Sequence, residues 1–190
     1  MKAIIIAMLI LVPIGNVFAQ DKSLSEITFE EFEKKALQKT RDLSDYIIII
    51  SSKSTHPTDV KEAINQACNL FVNEQATVEV SSINRELINY YEIRKYLKLL
   101  EKLQYDKVEI SWSDVHYVSK LRKGTDGNYY GTISISQRFT GFIDGKIVYT
   151  DQTDKNIEVV LKRPSYDFGG EKKEYWEILL SDIGVQETSI

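Results

Sequence analysis

Asp144-Gly145 separates two long alternating stretches, Tyr129 to Ile143 and Lys146 to Arg163, and this arrangement restricts the fold more than any other feature. A two-residue type I′ turn needs positive φ at both central positions, which Asp-Gly tolerates, so the two stretches are predicted to pair as one long antiparallel hairpin. On the second stretch Thr153, Lys155, Ile157, Val159 and Leu161 keep one phase, with a bulge expected around Asp151 to Lys155. The apolar face of such a hairpin has to be covered by another layer.

Two more strands flank it. Lys107 to Arg122 alternates and closes on the turn cluster Gly124-Thr125-Asp126-Gly127-Asn128, while Pro164 to Gly170 is predicted as a loop before a last strand over Glu174 to Ser181. A short strand is expected within Ala76 to Ser82. The earlier part of the chain is mostly helical in pattern. Thr28-Phe29-Glu30-Glu31 has capping-box spacing, and Phe29, Phe32, Ala36 and Leu37 continue the stripe. In LSDYIIIISSK four isoleucines favour a strand, but Leu43, Tyr46, Ile47 and Ile50 recur at helical spacing, and a helix is predicted. Ser54-Thr55-His56-Pro57-Thr58 breaks the chain, Thr58 is a cap residue, and Asp59 to Val72 completes a helical hairpin. A further helix is predicted from Tyr90 to Leu103 on Ile93, Leu97, Leu100 and Leu103. The pattern shows no internal repeat.

Residues 1–19 have the form of a signal peptide: Lys2, the apolar run Ala3 to Val12, then Pro13 and Gly15, and Val17-Phe18-Ala19 before Gln20. The apolar run is shorter than the roughly 20 residues of a membrane-spanning helix, so export to the periplasm or the exterior is expected, without a membrane span. The chain carries a net charge of −4, one unit more negative without Lys2, which argues against a nucleic-acid partner. With 43% hydrophobic residues and three prolines, one compact domain is expected. A single cysteine, Cys68, excludes an intrachain disulfide, and its helical spacing with Ala63, Ile64, Ala67 and Phe71 marks it as a packing residue.

Helices first and an antiparallel meander afterwards define an α+β fold, with N-terminal helices packed on a curved antiparallel sheet of four long strands plus one short strand. A helical hairpin, a short strand, another helix and four long strands, in that order, resemble the NTF2-like superfamily, whose members curl the sheet around the helices into a cone. The resemblance covers roughly Leu43 to Val185. It divides the chain into a signal peptide at 1–19, a helical extension at 20–42 and an NTF2-like domain at 43–190. It implies a protein-binding module, a homodimer pairing through the sheet, or a small-molecule pocket inside the cone, and fold alone does not choose among these.

The candidate chemistry centres on VEISWSDVHYV. Strict alternation puts Asp114 and His116 on the same face as Val108, Ile110 and Trp112, about 7 Å apart along one strand. In a pocket, Asp114 is the candidate general base and His116 its helper, with Trp112 and Gln137 as candidate ligand-binding neighbours, as in isomerases or dehydratases of the superfamily. The alternative is a strand end emerging into solvent, or a bulge after Trp112 that inverts the face. His56, in the turn before Pro57, is expected as a solvated loop histidine. With no H-x-H, HExxH, cysteine cluster, P-loop, nucleophile elbow or dinucleotide fingerprint, no metal and no cofactor is expected. Lys120-Leu121-Arg122-Lys123 is expected as a solvated strand end. Tyr129-Tyr130 and Tyr175-Trp176 must each split across two faces, leaving aromatics outside for a partner.

The resulting expectation is an exported, non-enzymatic binding or assembly module of the bacterial envelope, acting through the sheet surface or the cone mouth. The alternative is a small-molecule binder or isomerase-like enzyme with its pocket around Asp114 and His116. Mass spectrometry of the exported protein is expected to find an N-terminus at Gln20 or within a residue or two of it; an intact Met1 in cytosolic material would overturn export.

Overall fold

The computed structural model describes residues 29–189, apart from the side chains of Phe29, Arg85, Glu86 and residues 114–118. The predicted signal peptide and the Thr28 cap lie outside the described residues. α1 (Phe29–Ser51) and α2 (Pro57–Cys68) pack together and lead into the hairpin of β1 (Thr77–Ser82) and β2 (Arg85–Glu92). α3 (Ile93–Leu100) precedes β3 (Lys107–Val118), the two-residue β4 (Arg122–Lys123), β5 (Tyr129–Ile143) and β6 (Lys146–Lys162). A separate small hairpin, β7 (Ser165–Phe168) and β8 (Glu171–Glu174), then gives way to β9 (Glu177–Ser189).

The Asp144-Gly145 turn forms as its residue types require, with φ of 49° and 72°. From it β5 and β6 pair without a slip between Gly141↔Tyr149 and Tyr129↔Leu161. The expected bulge at Asp151 to Lys155 is corrected: the slip there lies against β9, where Asp154↔Glu187 is followed by Lys155↔Val185, so the extra residue is Gln186. The main sheet is curved, unclosed and mostly antiparallel, in the order β2-β1-β9-β6-β5-β3 with β4 also on β5. The exception is β1, which runs parallel to β9 at Val78↔Ile183. Two side-chain bonds lock that junction: Asp182 accepts from the Thr77 N–H at 2.7 Å, and Glu79 accepts from the Val185 N–H at 2.8 Å.

One face of this sheet is the core. Ile133 and Ile135 on β5, Ile157, Val159 and Leu161 on β6, and Leu180 on β9 are fully buried against the helices. α1 contributes Phe32, Ala36, Leu43, Ile47 and Ile50 at helical spacing, while Ile48 and Ile49 stay exposed, so the isoleucine run is helical as its period predicts. α1 continues unbroken through positions 42 and 43, and Phe32 and Ala36 share one core with Leu43. Cys68 is buried in the same cluster, and burial pushes its thiol pKa up, as suits a packing residue.

Several expected boundaries are corrected. The cap of α2 is His56 rather than Thr58: His56 is exposed and outside the helix, as expected, with its Nδ1 accepting from the Thr58 N–H at 3.3 Å and Pro57 opening the helix. α2 stops at Cys68, short of Val72, because Leu70 and Val72 exchange backbone hydrogen bonds with Leu180 of β9 at 2.8 Å. β2 replaces the predicted start of the third helix, which begins at Ile93 rather than Tyr90, since the strand still pairs up to Glu92↔Thr77. The Pro164 to Gly170 loop is instead the β7–β8 hairpin, turning on Gly169 and Gly170 at φ 66° and 86°. The last strand runs to Ser189, well past Ser181. The aromatic pairs split as expected: Tyr129 and Trp176 meet edge to face, while Tyr130 bonds Asp126 and Tyr175 stacks on Tyr166.

α3 is the smallest part of the helical layer, yet Leu97 is fully buried while Leu99 beside it is 38% exposed. Leu97→Ala is expected to cost about 2–5 kcal/mol and Leu99→Ala less than about 1 kcal/mol, read by urea denaturation of the two variants.

Candidate ligand-binding cleft

Along β6 the core-facing phase changes character. Leu161, Val159 and Ile157 are core, but the next three residues of that phase are Lys155, Thr153 and Asp151, all buried, followed by Tyr149 at the rim. Their β5 neighbours change in step, from Ile133 and Ile135 to Gln137 and Phe139. Where the apolar side chains stop, a cleft of about 310 Å³ opens between this polar stretch, the end of β1 and α3. Tyr96 and Leu100 of α3 roof it, with Leu103 and Tyr105 from the segment that follows.

The rim is aromatic. Tyr105 and Phe139 meet edge to face at 5.8 Å, as do Phe139 and Tyr149, and Tyr105 lies 6.4 Å from Tyr149. Gly141 makes room for this wall, because a Cβ there would stand 2.6 Å from the Tyr105 ring. Below the rim the Tyr149 hydroxyl donates to Asp151 and accepts from Ser82 Oγ at 2.9 Å. Thr153 shares a 3.3 Å hydroxyl contact with Thr188 of β9.

The floor is different. Lys155 is 7% exposed and Gln137 8% exposed, and neither side chain has a hydrogen bond or ion pair among the described residues. Burial drives the Lys155 ammonium down to about 8 against an upward pull from Asp151. Burial likewise raises the Asp151 carboxyl, opposed by the Tyr149 hydrogen bond and by Lys155. Tyr96 is pushed up to about 12, mainly by burial and then by Asp151.

The sequence-predicted residues fall unevenly around this cleft. Gln137 lines it. Trp112 pairs with Gln137 across β3 and β5 but packs half-buried against the core, outside the cleft lining, with its indole N–H lacking a partner among the described residues. The side chains of Asp114 and His116 lie outside the described residues. The register of β3 against β5 slips between Ser113 and Val115 and again between Val115 and Tyr117, so strict alternation ends at Ser113 and no longer assigns those two residues to a face. Lys120, Arg122 and Lys123 are exposed, as a solvated strand end requires.

Asp151, Lys155, Tyr149 and Tyr105 were not singled out by sequence reasoning. The signal was present: a carboxylate and an ammonium stand in the same phase as Ile157, Val159 and Leu161, where a buried charge is costly. Among the described residues no group of three or more His, Cys, Asp or Glu is placed to hold a metal, and no helix is long and apolar enough to cross a membrane. No protein-family model, curated protein or solved structure matches the chain.

Lys155 makes the cleft a source of instability. Its pKa lies below that of the unfolded chain, so between pH 8 and 10.5 the unfolded state binds the extra proton and native stability rises with pH. Lys155→Met is expected to be more stable than wild type at pH 7 by on the order of 3 kcal/mol, the difference shrinking as pH rises through that window. Urea denaturation of both proteins from pH 7 to 10.5 measures it, and a variant less stable than wild type at pH 7 would refute it.

Proposed function

We propose that this chain is an exported binding module of the NTF2-like kind that holds a small organic molecule in the cleft between α3 and the β5–β6 hairpin, without chemical turnover. The observation that carries this reading is the pairing of an aromatic rim with a buried polar floor in one concave space. The NTF2-like assignment is supported by the element order: a helical hairpin, a short-stranded hairpin, one more helix and then four long strands on one sheet. Binding rather than catalysis is supported by Asp151, the carboxylate of the cleft, being engaged by the Tyr149 hydroxyl. Export rests on the sequence of residues 1–19.

A second reading has its own observation. β2 is an edge strand, and Leu87 and Tyr90 on it are 78% and 64% exposed, which supports a protein partner or a second copy adding to the sheet there. The two readings place the binding surface on different strands.

NMR titration of the isotope-labelled protein with a library of small aromatic fragments separates them. Binding in the cleft is expected to shift the amides of Tyr105, Gln137, Phe139 and Tyr149 together. Shifts confined to 85–92, or none with any fragment, would overturn the cleft reading.

A further inference from the structure

The cleft contains two charges, and they differ in what they still lack. Asp151 already receives the Tyr149 hydroxyl, which is itself held by Ser82. Lys155 is buried to the same degree but has neither a hydrogen bond nor an ion pair among the described residues, and Asp151 stands four residues away along β6, outside ion-pair contact. Gln137, in the register step next to Lys155, is also buried with its carboxamide unpaired among the described residues. The unmet demand at the floor is therefore mainly for acceptor oxygens: an ammonium has three donors and no acceptor, and a carboxamide adds two donors beside its one carbonyl acceptor. A buried ammonium gains most from an ionised acceptor, because charge-assisted hydrogen bonds are roughly twice as strong as neutral ones.

Resting on the reading of the cleft as a ligand site, we infer that its ligand is a small organic acid, bound with its carboxylate on Lys155 and Gln137 at the floor and its apolar body against Tyr105, Phe139 and Tyr149 at the rim. The orientation follows from the strand order of the wall: Lys155 adjoins the closed core at Ile157, whereas Tyr149 lies at the open end. Asp151, midway, repels a second negative charge, so the inferred ligand is a monoanion rather than a dicarboxylate. A cationic head would face the unpartnered ammonium and gain nothing at the floor. The remaining titratable side chains of the lining are Asp151 and the tyrosines Tyr96, Tyr105 and Tyr149, and all three tyrosines are held above their ordinary value. Loss of affinity between pH 7 and pH 9 therefore reports on Lys155, which loses its charge at about 8.

Three probes with one body and different heads test this: 3-phenylpropionate, 3-phenylpropanol and 3-phenylpropylamine, titrated calorimetrically into the purified protein. The acid is expected to bind at least tenfold more tightly than the alcohol or the amine at pH 7, and to lose most of that preference by pH 9. Lys155→Met is expected to bring acid and alcohol to equal affinity while leaving alcohol binding within about twofold. Asp151→Asn, compared with wild type at pH 6 so that Lys155 keeps its charge without the upward pull of Asp151, is expected to tighten the acid or leave it unchanged; if it weakened the acid there, the inference would fail. Equal binding of acid and alcohol by wild type, or tighter binding of the amine, overturns the organic-acid inference and leaves the cleft reading standing. Binding of none of the three, with no fragment shifts in the cleft, overturns both.

Discussion

The register that β5 and β6 keep from Tyr129↔Leu161 to Gly141↔Tyr149 is the constraint on which the remaining structure depends. At about 3.3 Å per residue, strands of 15 and 17 residues extend roughly 50 Å, further than the short helical layer over them can cover. The helical layer therefore packs directly on one part of the hairpin face and stands off another part, where Tyr96 and Leu100 of α3 roof the cleft. The change falls where Ile135 pairs with Lys155, and the residues on either side of that step have opposite chemistry. The dry core and the polar cleft are two lengths of the same ladder, divided by how far the helices reach.

Placing Lys155 in the cleft wall, 7% exposed and without an ion pair among the described residues, goes against the rule that buried charges are closely paired. A sequence selected for stability alone would place another apolar residue there, since Lys155 is flanked by Ile135 on β5 and Val185 on β9. The retained ammonium, the carboxamide of Gln137 without a hydrogen bond among the described residues and the glycine that admits Tyr105 are three departures from good packing that meet in one space. Functional sites are where such departures collect, because a group kept ready for a ligand cannot also be satisfied by the protein.

Much of the architecture was legible because period-2 and period-3.6 patterns survive in single sequences. The β5–β6 hairpin, its turn, and the helical isoleucine run followed from spacing alone, and so did the buried cysteine. What escaped was set by tertiary contact. Residues Leu70 to Val72 look like the end of a helix until Leu180, far along the chain, competes for their backbone. β2 has no clean alternation, with Leu87 and Ile88 adjacent and both exposed, so its strand character comes from pairing with β1. The face on which Asp114 and His116 lie was not legible for a related reason. Asp114 and His116 drew attention as polar residues on an apolar face, but the inserted residues in β3 remove the alternation on which that placement rested. Lys155 carried the same signal more strongly, on a length of β6 whose phase against β5 holds from Tyr149 to Leu161.

The parallel contact between β1 and β9 also bears on how the molecule assembles. β9 lies between β1 and β6 in the sheet, so the two halves of the fold are joined by a strand that follows both of them in the chain. The bonds that fix it, Thr77 to Asp182 and Glu79 to Val185, close loops of more than a hundred residues. Loop closure on that scale slows folding, and until it happens the β1–β2 hairpin and the β5–β6 hairpin have no common sheet. A growing chain of this kind stays open along its centre until β9 is available. The cleft, whose lining draws on β1, β5 and β6, exists only once β9 has docked.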